Sequence, residues 1–340
     1  MNGYERCMAA IKGQPVDRLP VDLHNFLMCA QDSGMGYDEF VRDGAAMARM
    51  QLALWREFGH DMLLVENGTA ALAEALGCQV ACRPDGPPVV EKPLIGGPEE
   101  IPGLKIPENF WDSPMLRANL EAVGRLREVL GDQAFVMGRG DQGPFSLASQ
   151  LYGMERLLME LMDEEQTGNI LKLVEFCTQA CIQYQSRLLQ AGAHGTSMGD
   201  SMAGPDVLSP SMYREFAMWA EEKVIHGIHG QGGIISLHIC GNATPILRQL
   251  CGLGADILEI DEKTDLNKAL WEARGKCALL GQISPTLLRN GRAAEIAAEV
   301  ERTVETAGGQ TATGLILGPG CALAGDTPKE NVKLLVQRGL

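Results

Sequence analysis

His238 and Cys240 are separated by one residue within the apolar segment 233–240 (GIISLHIC). In an extended strand, residues two apart point the same way, so an imidazole and a thiolate can face one ion. Cys321 follows a second apolar segment, 314–320, through Gly318-Pro319-Gly320, where glycine permits close backbone approach. One nitrogen and two sulfurs suit zinc, and three protein ligands leave the open position that catalytic zinc sites keep. The competing reading of each residue alone is a core side chain, since cysteine is among the most buried residue types. A third sulfur at another strand end favours the metal reading.

The other cysteines and histidines carry less. Cys78/Cys82 and Cys177/Cys181 have i,i+4 spacing and read as buried thiols on helix faces, while Cys7, Cys29, Cys251 and Cys277 show no partner pattern. His226 and His229 read as surface or core residues on a helix. His60 and His194 precede or begin strands, on the wrong side for chemistry. Asp22-Leu23-His24 begins like the corrinoid-ligand pattern D-x-H-x-x-G, but residue 27 is Leu, so it is set aside.

The elements that must position these groups follow a rhythm. Apolar runs of strand length occur at 19–24, 61–67, 134–140, 195–200, 233–240, 255–261, 277–283 and 314–320, with helical-period segments between them. The segment 154–192 holds two helices. Ser209-Pro210 opens another, and Thr327-Pro328-Lys329-Glu330 reads as a capping box. Gly192, Gly252, Gly275 and Gly308 sit at expected helix stops. Eight strands alternating with helices predict an α/β fold, a (β/α)8 TIM barrel with an N-terminal helical extension, as one domain over 1–340. An open doubly wound sheet is the rival, weakened because no G-x-G-x-x-G follows the first strand. The runs end in polar residues: Asp22 and His24, Glu66, Arg139 and Asp141, Asp200, His238 and Cys240, Asp261, Gln282, and Cys321. In a barrel these ends converge on the active-site face.

Composition narrows the partners. The 340 residues are 45% hydrophobic and 21% charged, and the formal net charge is −15. Such a charge repels phosphate backbones and anionic lipid, which argues against nucleic acid and membrane surfaces. No run approaches 18 apolar residues, and the start MNGYERCMAAIKGQPVDR has no h-region. A cytoplasmic location is expected, where cysteines stay reduced.

Several segments resemble the uroporphyrinogen decarboxylase superfamily: Glu5-Arg6…Ala10-Ile11-Lys12-Gly13…Asp17-Arg18-Leu19-Pro20, and Gly143-Pro144-Phe145-Ser146-Leu147-Ala148. Others are more similar to its methyltransferase branch, the zinc-dependent methylcobamide:coenzyme M methyltransferases and their bacterial relatives. These are Glu74-Ala75-Leu76-Gly77-Cys78, LHICGNATPIL (237–247) and GPGCALAGDTPKEN (318–331). The resemblance covers nearly the whole chain. It implies zinc held by His238, Cys240 and Cys321, with Asp261, or failing it Glu262, as a displaceable fourth ligand. It further implies a methyl group moved between a corrinoid and a small thiol or other methyl donor or acceptor, the cobamide arriving on a partner corrinoid protein. Asp261, Glu66 and Asp200 are the candidate catalytic carboxylates, and Asp141 and Gln282 the candidates facing the cofactor. The chain departs from the superfamily at two places. No Arg lies between Arg18 and Arg42, where decarboxylases hold propionates, and the G-N-x-D-P turn is Gly281-Gln282-Ile283-Ser284-Pro285. The alternatives are a metal-free decarboxylase, a methoxyarene or methylated-substrate:corrinoid protein methyltransferase of the same fold, and a non-catalytic binding module.

Overall fold

The computed structural model describes residues 1–83 and 86–339. One parallel sheet runs in the order β1 (Asp22–Leu23), β2 (Met62–Val65), β3 (Phe135–Gln142), β4 (Gly195–Gly199), β5 (Ile234–Ile239), β6 (Ile257–Ile260), β7 (Ala278–Ile283), β8 (Leu315–Pro319). A parallel bridge joins Val21 to Leu317, whose amide donates to the Pro20 carbonyl at 2.8 Å. The sheet thereby curls into the expected (β/α)8 barrel, with helices on the outside. Each apolar run named from the sequence coincides with one of its strands, β3 running two residues past the end of its run.

Strand parity explains the interior. Leu63 and Val65, Val136, Leu258 and Ile260, and Leu315 and Leu317 belong to the large apolar cluster between barrel and helices. Their neighbours Met62, Leu64, Phe135, Met137, Ile257, Ala278, Leu280 and Ile316 form a second, separate cluster inside the barrel. Residues two apart share a face. Continuing each inward row toward the strand's C-terminal end therefore points Asp22, Glu66, Arg139, Ser236, His238, Glu259, Asp261 and Gln282 inward; the register of β3 shifts after Arg139, so the alternation does not extend to Asp141. Apolar residues fill the lower interior and polar residues the upper.

The N-terminal helix Gly3–Ile11 closes the lower end. Asn2 and Glu5 form its capping box, and Cys7, Ala9 and Ala10 pack into the inner cluster. Asp61 ties this helix to the barrel. It accepts from Arg6 and Arg18 at 2.6 Å each, and from the Val21 amide at 2.9 Å.

Two local expectations fail. Cys78 and Cys82 lie on no helix: Gln79–Arg83 and Gly86–Lys92 form an antiparallel hairpin. The Thr327 hydroxyl is buried without a partner among the described residues, so the capping box does not form and the last helix begins at Lys329. The helix opened by Ser209-Pro210 stops at Phe216, and a second runs Met218–His229. Helices at Met154–Glu160 and Thr167–Gln190, and the left-handed cap at Gly308, agree with the reading.

Candidate metal centre

β5 presents His238 inward and passes Cys240 to the turn that follows. Cys321 arrives from the turn after β8. A Cβ on Gly320 would lie 2.8 Å from the Glu262 amide nitrogen and 3.1 Å from the Asp261 Cα. Only glycine lets the β8 turn press this closely on the β6 turn, and that approach brings Cys321 to Cys240. The Cys240 and Cys321 sulfurs are 3.8 Å apart, and His238 Nε2 is 2.9 Å from the Cys240 sulfur. All three ligand atoms lie within 4.8 Å of one another. A tetrahedral ion with Zn–S bonds of ~2.3 Å separates two sulfurs by about 3.8 Å, so the donor set and the sulfur spacing fit zinc. The 2.9 Å between His238 Nε2 and the Cys240 sulfur is a hydrogen-bond distance that would open by roughly half an ångström around the ion. Hydrogen bonding from Cys321, together with His238, holds the Cys240 thiol well below its ordinary range.

Behind the imidazole stands Glu259, which spacing alone did not single out. Its Oε2 is 3.7 Å from His238 Nδ1, and Ser197 and Ser236 donate hydroxyls to its Oε1. Burial opposes its charge, but Arg139, His238 and the two hydroxyls prevail and hold it down at about 2. The signal was an acidic residue two positions before Asp261 in an otherwise apolar strand. Arg139 bridges Glu259 at 3.3 Å and Glu66 at 3.1 Å, and His24 Nε2 meets Glu66 at 2.8 Å. A buried polar chain thus runs His24–Glu66–Arg139–Glu259–His238.

The remaining candidates hold backbone. Asp261 lies outside the three-atom group: its oxygens accept from the Gly241 amide at 2.9 Å and the Lys263 amide at 3.0 Å. It fixes the turn that carries Cys240. Glu262 lies beside the Ser284 hydroxyl at 3.5 Å. Asp200 accepts from the Phe145 and Ser146 amides at the start of the helix Pro144–Tyr152, and burial pushes it up to about 6. Asp141 takes a left-handed backbone (φ 64°) and accepts from the Leu72 amide at 2.6 Å. Burial pushes it up to about 7, and its other oxygen has no partner among the described residues. Gln282 donates to the Thr264 carbonyl at 3.0 Å. Among the other cysteines, Cys177 and Cys181 are buried on one helix as expected, and Cys251 interacts with Cys277 away from the strand ends. The 580 Å³ groove lined by Lys12, Arg274, Lys276 and Thr313 lies at the opposite end of the barrel.

The family model described as uroporphyrinogen decarboxylase (URO-D) matches residues 2–338. The chain belongs to this family. Its relatives include the methylcobamide:CoM methyltransferase MtaA of Methanosarcina barkeri, 28% identical, with 97% of this chain and 95% of the relative covered. They also include a uroporphyrinogen decarboxylase of Anaeromyxobacter sp., 27% identical over 97% of this chain and 96% of its own. A solved methyltransferase from Methanosarcina mazei superposes with a TM-score of 0.90 at 27% identity, covering 100% of this chain and 98% of that one. Family membership therefore spans two chemistries, and the site must choose between them. No helix among the described residues is long and apolar enough to cross a membrane.

Proposed function

We propose that this URO-D family protein is a zinc-dependent methyltransferase that moves a methyl group between a methylcobamide, presented by a corrinoid protein, and a small-molecule thiol or other methyl donor or acceptor. The observation that carries this reading is the convergence of one imidazole and two sulfurs from β5 and β8, backed by a buried carboxylate. A zinc ion held there would bind a thiol sulfur and keep it as thiolate near neutral pH.

The chain's own residues prepare that chemistry. Cys240 is poised as thiolate by Cys321 and His238. Glu259 lies 3.7 Å from His238 Nδ1, longer than a hydrogen bond but close enough for its charge to raise the basicity of a metal-binding histidine. Asp261 and Gly320 hold the two turns that supply the sulfurs. In the transfer to a thiol, the substrate sulfur forms the new C–S bond while the Co–C bond breaks and its electron pair stays on cobalt. A metal-free decarboxylase gains no support here. Arg139 is occupied by Glu66 and Glu259, and residues 19–41 contain no arginine for propionates.

The purified protein is expected to carry about one zinc per chain and to release cob(I)alamin from methylcob(III)alamin plus a thiol. Cys240→Ala and Cys321→Ala are expected to lose both, read by metal analysis and visible absorbance. Retention of zinc by both variants would overturn the ligand assignment.

A further inference from the structure

We propose that the small reactant received beside His238, Cys240 and Cys321 carries a positive charge, an ammonium or a group like it, and that an anionic tail is disfavoured. This inference rests on the metal-dependent reading above and names a substrate class for it. The relatives named for coenzyme M act on a sulfonate-tailed thiol, so the proposal separates this chain from them.

Proteins hold small anions with cationic side chains or with free backbone N–H groups at helix N-termini. At this end of the barrel the buried guanidinium and several strand-end and helix-opening amides are held by the protein's own carboxylates. Arg139 divides its guanidinium between Glu66 and Glu259. The Phe145 and Ser146 amides go to Asp200, the Leu72 amide to Asp141, and the Gly241 amide to Asp261. Lys263, the other Lys or Arg at these strand ends, is exposed.

What remains unpartnered is mostly acceptor. Both oxygens of Asp22, Oδ1 of Asp141 and Oε1 of Gln282 are buried with no hydrogen-bond partner among the described residues. Asp22 is 0% exposed and Asp141 5%. Asp22 lies on an inward row of the barrel close to Glu259, Glu66 and Arg139, and Asp141 lies near Glu66 and Arg139. Asn25, equally buried and unpartnered, offers one donor and one acceptor. An unpaired buried acceptor costs about 1–3 kcal/mol, which a donor-bearing ligand would recover. A sulfonate would bring three more acceptors beside these unpartnered oxygens, in a space where Glu66 and Glu259 already take up Arg139 and lie against His24 and His238. An ammonium supplies the donors those oxygens lack.

The test uses three two-carbon thiols differing only in their tails: 2-aminoethanethiol, 2-mercaptoethanol and 2-mercaptoethanesulfonate. Protein loaded with Co(II) in place of zinc is titrated with each, and the thiolate-to-cobalt charge-transfer band reports entry without turnover. Dissociation constants are expressed per thiolate, which removes differences in thiol acidity. The amine is expected to bind at least tenfold tighter than the sulfonate. Asp141→Asn is expected to shrink that ratio to below threefold while Co(II) stays near one per chain. Asp22→Asn serves the same purpose if the first variant does not fold. Equal or tighter binding of the sulfonate, or an amine preference untouched in a folded, loaded variant, overturns the proposal and leaves the methyltransferase reading standing. A loaded protein that gives no band with any thiol overturns that reading, and this inference with it.

Discussion

Glu259 receives two serine hydroxyls, meets Arg139 at 3.3 Å and stands 3.7 Å from His238 Nδ1. Its negative charge is therefore built in before any metal arrives. Glu259→Gln keeps the shape and removes the charge. Zinc affinity is expected to fall by roughly 10–100-fold, the usual effect of losing such a partner, as read by competition with a chromophoric chelator. An unchanged affinity would deny the carboxylate its role. Two other acids act in the opposite sense on stability. Burial raises Asp141 to about 7 and Asp200 to about 6 in the folded chain, against about 3.9 when unfolded. A carboxyl raised by folding stabilises the fold below its unfolded pKa, and that contribution disappears as pH rises through the folded one. Stability from these two is thus complete below pH ~4 and lost by pH ~7. Glu259, depressed to about 2, contributes above pH ~4.3 and loses its share as pH falls toward 2. Asp141→Asn is expected to flatten the decline in denaturant midpoint between pH 5 and pH 8. Parallel declines in variant and parent would refute the assignment.

Among the elements, the turns after β6 and β8 meet at Gly320. The methyl of Gly320→Ala would strike the backbone at Glu262 and Asp261, and backbone cannot swing aside as a flexible side chain can. The turns must part and carry Cys321 away from Cys240. Zinc content is expected to drop below half while far-UV circular dichroism is retained; full occupancy would show that the turns tolerate the methyl. The elements were readable in the sequence because barrel strands are buried on both faces and so appear as uninterrupted apolar runs. His238 and Cys240 were readable because one intervening residue returns a strand to the same face. Other features left less trace. Asp200 and Asp261 look like strand-end catalysts in one dimension, yet each holds amides from a different part of the chain, a pairing no local pattern records. Glu259 is hidden similarly, since its partners Ser197 and Arg139 come from other strands. The antiparallel pair Gln79–Arg83 and Gly86–Lys92 was missed because Cys78 and Cys82 mimic a helical interval, and tertiary context overrides that spacing.

At the scale of the molecule, Asp61 gathers Arg6 from the N-terminal helix, Arg18 from the following segment and the Val21 amide where the barrel closes. Its side chain is 3% exposed and that of Arg6 8%. Asp61→Ala would leave Arg18 without its carboxylate, take one of two carboxylates from Arg6, which keeps Asp17, and release the segment that joins β1 to β8. A loss of ~3–5 kcal/mol is expected from unpairing buried charge, read by denaturant unfolding, with zinc bound per folded chain unchanged. A loss below ~1 kcal/mol would show that water replaces the pairing.

The apolar plug of Met62, Phe135, Met137 and Ile316, sealed beneath by Cys7 and Ala10, makes the barrel a well with one rim. Whatever reaches the sulfurs descends through that one opening. In the proposed transfer a large methyl carrier would cover the same opening, so the small molecule would be seated before the carrier arrives and the product would leave after the carrier lifts away. Traffic through the catalytic cycle is thus set by an architectural fact at the far end of the barrel, one that no residue of the metal centre reveals.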